Sequence, residues 1–384
     1  MQKRNYGKTG FQVSALGMGC MRLPRKTDKE GNVSIDHDKA IELIQYAADH
    51  GVDYFDTALT YHNRMSETVL GEALDGKRRK DVKIATKQPI RAVTERGDIR
   101  RNLESTLKKL RTDYIDIYLM HNIQGNTREE FIQFGFFEEF EKFKAEGLVK
   151  NIGFSYHGDY DNFSKILQEY PWAMCQIQQN LLDVDQEVTS EAIHLAGKLG
   201  TALVIMEPLR GGGLANTPPP VKKLYDGHPV KYSAAEWAFR HLLDFPEVSC
   251  ILSGMTTMEQ LQDNIRIFSK PDAVPGCLCA IDKTLLTNVK KAYESIVTIP
   301  CTACEYCLPC PQGVNIPRVF SLYNEGMMFG SFDQPQRSYM FARSGNEDAS
   351  HCVRCGACET KCPQNIQIME SLETAHGALD GWVE

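Results

Sequence analysis

The chain has 384 residues, 42% of them hydrophobic and 24% charged, with a formal net charge of −7. That length suits one large and one small domain, and the mixed, mildly acidic balance argues against nucleic acid or an anionic membrane as the main partner. The start, Met1 to Gly7, lacks the apolar core of a secretory signal, and no stretch is apolar enough to span a bilayer, so a cytoplasmic location is expected.

Strand-like and helix-like segments alternate from the start to about residue 270. Ala15 to Gly19 is a short apolar run, and residues 36–50 then place Ala40, Leu43, Ile44 and Ala47 on one helical face. Strands are predicted at Val52–Phe55 and Val82–Ala85, and a helix capped by Asp98 carries Ile99, Leu103, Leu107 and Leu110. Ile115–Met120 is a strand and residues 129–146 a helix. Further strands fall at Val149–Phe154, Cys175–Ile177, Ala202–Met206 and Ser249–Leu252, with helices near 160–169, 188–199, 232–243 and 257–268. Pro218, Pro219 and Pro220 read either as a rigid loop over the catalytic end or as a plain surface loop. Residues 269–276 break the alternation, and 281–297 are helical.

Eight strand–helix repeats point to an α/β fold, a (β/α)₈ TIM barrel, whose usual length is about 250 residues. An open doubly wound sheet would want a Gly-rich turn opening a helix, but Leu23-Pro24 follows Gly17-Met18-Gly19. The expected domains are a barrel over 1–275 and, over 276–384, a helical linker with a small, mainly α-helical ferredoxin-like domain.

Functional residues of such barrels sit past the C-terminal ends of strands. Asp56 ends the second strand, Tyr61 follows it, Lys87 ends the third and His121 the fourth. Singly, each has a dull explanation, such as a helix cap or a hydrogen-bonded core histidine. Together at successive strand ends they form a candidate catalytic set.

With Phe55-Asp56-Thr57-Ala58-Leu59-Thr60-Tyr61, Ser66-Glu67 and Leu70-Gly71-Glu72-Ala73-Leu74, this set resembles the aldo/keto reductase superfamily over about residues 1–270. The resemblance implies reduction of a small carbonyl, or oxidation of its alcohol, with a nicotinamide cofactor, NAD(P)H. Tyr61 would be the general acid, Lys87 paired with Asp56 would lower its pKa, and His121 would orient the carbonyl. It assigns the cofactor to Ser155, Gln176, Met206, Pro208, Leu209, Arg210, Gly211, Gly254, Gln260 and Asn264. Three positions depart from the family. Met206 replaces an aromatic, Ser155-Tyr156 replaces Ser-Asn, and Gly254 and Gln260 stand where basic residues grip a 2′-phosphate.

Of the thirteen cysteines, Cys20, Cys175, Cys250, Cys277 and Cys279 are scattered, and eight form two runs. The first is Cys301, Cys304, Cys307 and Cys310 before Pro311. The second is Cys352, Cys355, Cys358 and Cys362 before Pro363. The second has bacterial ferredoxin spacing, in which the last cysteine ligates the other cluster. Two [4Fe–4S] clusters are expected, one on Cys301, Cys304, Cys307 and Cys362, the other on Cys352, Cys355, Cys358 and Cys310. The first run departs by one residue before Cys310. Zinc is the alternative, but it wants Cys-x-x-Cys pairs rather than two four-cysteine runs closed by proline. This part resembles the ferredoxin-like extension of one aldo/keto reductase subgroup.

Clusters move single electrons and a nicotinamide moves hydride, so an intermediary flavin in the barrel mouth is entertained. The alternatives are structural clusters, a flavin- or cluster-dependent reductase, or a redox-sensing regulatory subunit. The expected partners are a small-molecule substrate and a ferredoxin or other redox protein.

Overall fold

In the computed structural model, residues 1–29, 32–123, 127–183 and 190–381 are described. The chain divides into two compact units. One joins Met1–Leu209 with Glu236–Cys279, and the other joins Arg210–Ala235 with Ala280–Glu384.

The first unit is a closed parallel barrel of eight strands. We number them β1 (Leu16–Gly19), β2 (Tyr54–Asp56), β3 (Lys83–Pro89), β4 (Ile115–Ile123), β5 (Val149–Tyr156), β6 (Met174–Gln178), β7 (Ala202–Met206) and β8 (Val248–Ser253). They pair in chain order, and β8 closes on β1 through Ser253 opposite Met18. The expected strands are all present. Several run further than the apolar pattern suggested, taking in polar residues such as Lys87, Gln88, His121 and Asn122.

Tyr54, Ala85, Ile117, Leu119, Val204 and Cys250 fill the lumen together with Tyr6 and Val13 of an N-terminal antiparallel hairpin. Phenols in such a core need partners. Tyr6 and Tyr54 supply each other, their oxygens 3.0 Å apart.

Between the strands run α1 (His37–Asp49), α2 (Ser66–Ala73), α3 (Gly97–Lys109), α4 (Arg128–Gln133), α5 (Phe136–Ala145), α6 (Tyr160–Glu169) and α7 (Ser190–Leu199). Three details correct the sequence reading. The helix predicted over 129–146 is two helices, since Gly135 adopts the left-handed conformation (φ 76°) between them. Asp98 lies in the first turn of α3 rather than at its cap, where its carboxylate accepts the amides of Thr94 and Glu95. Residues 188 and 189 of the helix predicted over 188–199 lie outside the described residues.

The third correction is the proline stretch, which starts helix α8 (Pro219–Gly227). Proline is tolerated in a first turn, where its missing N–H has no helical acceptor and its fixed φ already suits the helix. The outer elements continue with α9 (Ala234–Leu243) and α10 (Met258–Phe268).

Helices α2 and α3 meet at Gly71. A Cβ there would sit 2.2 Å from the Lys109 carbonyl oxygen and 2.7 Å from the Leu110 Cα. The obstacle is backbone, which cannot swing aside. Gly71→Ala should therefore lower stability by about 1–3 kcal/mol, the range for overpacking. Denaturant unfolding checks this, and an unchanged midpoint would count against the close approach.

In the second unit, α11 (Ala280–Glu294) packs on α8, and the Tyr293 hydroxyl donates to the Asn216 carbonyl at 3.0 Å. Helices α12 (Ile316–Phe329), α13 (Asp333–Ser344) and α14 (Ile368–Leu379) surround a core of Val314, Ile316, Phe320, Tyr339, Ile368 and Leu372. Six of the eight clustered cysteines pack against that core: Cys301, Cys307, Cys310, Cys352, Cys358 and Cys362. Among the described residues no helix is long and apolar enough to cross a membrane.

Candidate active site and cluster cavities

Strand register brings the catalytic candidates to one end of the barrel. Gly19 lies opposite Asp56, Asp56 opposite Ala85, Lys87 opposite Leu119, and Pro89 opposite His121. Lys87 is buried and donates to Asp56 Oδ1 at 2.5 Å, to the Thr57 carbonyl at 2.8 Å and to the Tyr61 hydroxyl at 3.3 Å. The Tyr61 and His121 rings stand edge to face, 5.9 Å between centroids.

The surrounding motif residues hold this group in place. Thr57 donates to Ser66, and Ser66 to the Cys20 carbonyl. The buried Glu67 carboxylate accepts the hydroxyls of Thr86 and Thr106 and faces Lys109. Ser66 and Glu67 thus tie α2 to the strands that carry Asp56 and Lys87.

Burial raises the Tyr61 pKa above the ordinary phenol range, and the Lys87 charge only partly opposes it. Lys87 acts in the expected direction, lowering that pKa, but burial outweighs it. Burial penalises the anion more than one ammonium 3.3 Å away favours it. The phenol is accordingly held protonated, the state a proton donor needs. His121 is pushed well below its usual pKa, by burial first and then by the charges of Lys87, Arg91 and His157. Its imidazole is neutral at pH 7.

Among the described residues, three buried polar atoms of these strand ends have no hydrogen-bond partner: Asp56 Oδ2, His121 Nδ1 and Gln176 Oε1. Buried polar groups are almost always satisfied, so each such atom needs an explanation, and a missing ligand is one. Ser155 and Gln176 lie side by side on β5 and β6. The Ser155 oxygen accepts the Asn122 amide at 2.8 Å, and Gln176 Nε2 lies 3.6 Å from Met206 Sδ.

The other cofactor candidates divide. Pro208 and Leu209 follow β7. Asn264 is buried and donates to Ser253. Gln260 is engaged in the capping box of α10, whose N-cap is Thr257, its side-chain oxygen accepting the amides of Thr256 and Thr257. Gly254 faces the Arg22 side chain, and Arg22 pairs with Glu207 at 3.4 Å. Arg210 and Gly211 fall in the second unit, where the Arg210 guanidinium lies 5.8 Å from the Phe329 ring centre. The sequence reading missed Arg22, Arg91, His157 and Glu207. Position just after a barrel strand was the signal available for each.

In the second unit, two cavities each carry four cysteines. Cys301, Cys304, Cys307 and Cys362 line one, with Pro317, Phe320 and Ile366. Cys352, Cys355, Cys358 and Cys310 line the other, with Val314, Met369 and Leu372. Each cavity takes its fourth cysteine from the other run, and Ile316 lines both.

Known proteins match two successive stretches of the chain. Residues 15–273 match the aldo/keto reductase family and residues 300–367 a 4Fe–4S dicluster domain. An uncharacterized oxidoreductase of Bacillus subtilis, YqkF, is 25% identical over 77% of this chain and all of its own length. L-galactose dehydrogenase of Arabidopsis thaliana is 24% identical over 77% of this chain and 95% of its own. Among solved structures, the holo form of an aldo-keto reductase from Bacillus halodurans superposes with a TM-score of 0.62 at 25% identity, covering 76% of this chain and 97% of that one. An aldo-keto reductase from Klebsiella pneumoniae, solved in complex with NADPH, gives 0.59 at 19% identity, covering 76% and 96%.

Proposed function

Because the chain belongs to the aldo/keto reductase family and carries a 4Fe–4S dicluster domain, we propose that it reduces a small carbonyl compound, or oxidises the alcohol, with a nicotinamide cofactor, and holds two [4Fe–4S] clusters that exchange electrons with a redox protein. The observation that carries this reading is the buried Lys87–Asp56 pair, with the Tyr61 hydroxyl on Lys87 and His121 across from it.

The residues present fit both cofactors. The unpartnered Gln176 Oε1 can accept from a carboxamide N–H, and Ser155 retains a hydroxyl proton to donate to a carboxamide oxygen. Each cluster cavity offers four thiols against an apolar lining, the donor set of a cubane. A bound nicotinamide supplies hydride and the clusters supply one-electron transfer.

The chain's own residues perform the proton chemistry. Tyr61 donates its phenolic proton to the carbonyl oxygen. Lys87, held charged by Asp56, stabilises the phenolate that results. His121, neutral, offers one ring N–H to the same oxygen and sets the face presented. In the alcohol-oxidising direction the Tyr61 phenolate takes the proton back.

The test is anaerobic purification followed by titration with NADH and NADPH and turnover with a panel of aldehydes. Binding of either nucleotide and nucleotide-dependent carbonyl reduction support the reading. A flavin released on denaturation, with no nicotinamide binding, overturns it. The cofactor preference should be mild. Gln260 is spent on its helix cap, and Arg22 beside Gly254 is already paired with Glu207. An NADPH preference above ~100-fold, about 2.7 kcal/mol, would mean that a cation elsewhere receives the 2′-phosphate.

A further inference from the structure

We infer that the substrate of this site is an anionic carbonyl compound, an aldehyde or ketone bearing a carboxylate or similar group, and that Arg91 is the residue that selects it. The inference rests on the carbonyl-reduction reading and names its substrate class.

Arg91 lies in a short 3₁₀ turn, Ile90–Ala92, directly after β3. Strand register sets Pro89 of β3 opposite His121 of β4, so the turn rises beside the imidazole. The Arg91 guanidinium reaches sideways to Thr60, with Nη2 donating to Oγ1 at 3.4 Å, and Thr60 directly precedes Tyr61. Arg91 therefore stands at the rim between the two side chains that receive the carbonyl oxygen. Its charge is one of those felt at His121.

The cations around this mouth are not equivalent. Lys87 is matched by Asp56, and Arg22 by Glu207, the carboxylate whose charge is also felt at Tyr61 and His157. Elsewhere in the unit, many exposed or half-exposed arginines sit on carboxylates, as in Arg78 with Asp49, Arg100 with Glu146 and Arg128 with Glu169, although among the described residues the exposed Arg64 has no carboxylate partner. Arg91 is also an exception. Among the described residues no carboxylate pairs with it, and its hydrogen-bond partner is the neutral Thr60 hydroxyl. Its remaining N–H donors form a planar fork suited to a carboxylate.

A carbonyl carbon between Tyr61 and His121 would carry its substituents toward this rim. An anionic substituent would gain a charge-assisted hydrogen bond there, worth about 10- to 100-fold in the specificity ratio, or roughly 1.4–2.8 kcal/mol. A neutral substituent of the same shape would gain little.

The experiment uses the full chain with its clusters, purified anaerobically, and two probes of matched shape, 4-carboxybenzaldehyde and its methyl ester. The kcat/KM ratio of acid over ester should exceed ~10 in the natural protein. It should fall about tenfold or more in Arg91→Gln, with the change carried by KM of the acid, and recover in part in Arg91→Lys. An acid-over-ester ratio unchanged by Arg91→Gln overturns the inference while carbonyl reduction stands. Binding is read separately by calorimetric titration with benzoate and with benzyl alcohol. Benzoate affinity that falls selectively in Arg91→Gln supports the anion site even if neither aldehyde is reduced, in which case carbonyl reduction is the reading that fails. Equal effects on both ligands overturn the anion site.

Discussion

Tyr61→Phe should cut carbonyl reduction by ~10²-fold or more while leaving nucleotide affinity within a few-fold, because the change removes one proton donor and little else. The phenyl ring keeps the edge-to-face contact with His121, and Lys87 keeps Asp56 and the Thr57 carbonyl. What is lost is the hydroxyl 3.3 Å from Lys87 Nζ. Paired kinetics and equilibrium nucleotide titration separate the two effects. Turnover near that of the natural protein would remove Tyr61 from the chemistry and leave a water or His121 as the donor.

The same geometry fixes a pH profile. The reductive direction needs Tyr61 protonated and His121 in its resting neutral form. Burial raises the tyrosine pKa above the ordinary phenol range, so the donor is lost only at strongly alkaline pH. Burial and neighbouring cations lower the histidine pKa well below its usual value, so protonation of the ring comes only at acid pH. The reductive kcat/KM should accordingly be flat across pH 6–9 as far as these two groups decide it. A break near the unperturbed histidine value of about 6.5 that disappears in His121→Gln would show that the ring is less desolvated than its surroundings imply.

How much of this was legible in the sequence depended on whether a residue's role is set by its own strand or by a distant one. Asp56, Lys87 and His121 could be read because each ends an apolar run, and a barrel sends all such ends to one rim. Arg91 and Arg22 carry the same signal in weaker form, since each lies in a turn past the strand rather than on it. Gln260 has a second, local role. A Thr three residues before a Gln is a helix-capping pattern, and the cap engages the oxygen of the side chain that the family resemblance assigned to a cofactor. The Pro218–Pro220 stretch misled because prolines forbid a helix interior but suit its first turn. The grouping of Arg210–Ala235 with the C-terminal unit follows from packing of α8 on α11 and of Phe329 near Gly213, contacts that no local pattern announces.

The eight clustered cysteines give the other large expected effect. Anaerobic protein should be brown and hold about eight irons and eight sulfides, the content of two cubanes. Cys362→Ala should then lose the cluster of Cys301, Cys304 and Cys307, not that of its sequence neighbours. The reason is spatial, since Cys362 lines the cavity of the first run and Cys310 that of the second. The shorter spacing before Cys310 does not prevent that exchange, because Cys310 stands beside Cys352, Cys355 and Cys358. Cys310→Ala should therefore produce the reciprocal loss, and each variant should fall to about four irons. Double variants assign the lesion. Adding Cys304→Ala to Cys362→Ala should cost no further iron, whereas adding Cys355→Ala should empty the domain. The opposite pattern would mean that each run holds its own cluster and that the two cavities regroup on assembly. Zinc in place of iron in anaerobic protein would remove the electron-transfer reading altogether, because zinc has no accessible second oxidation state.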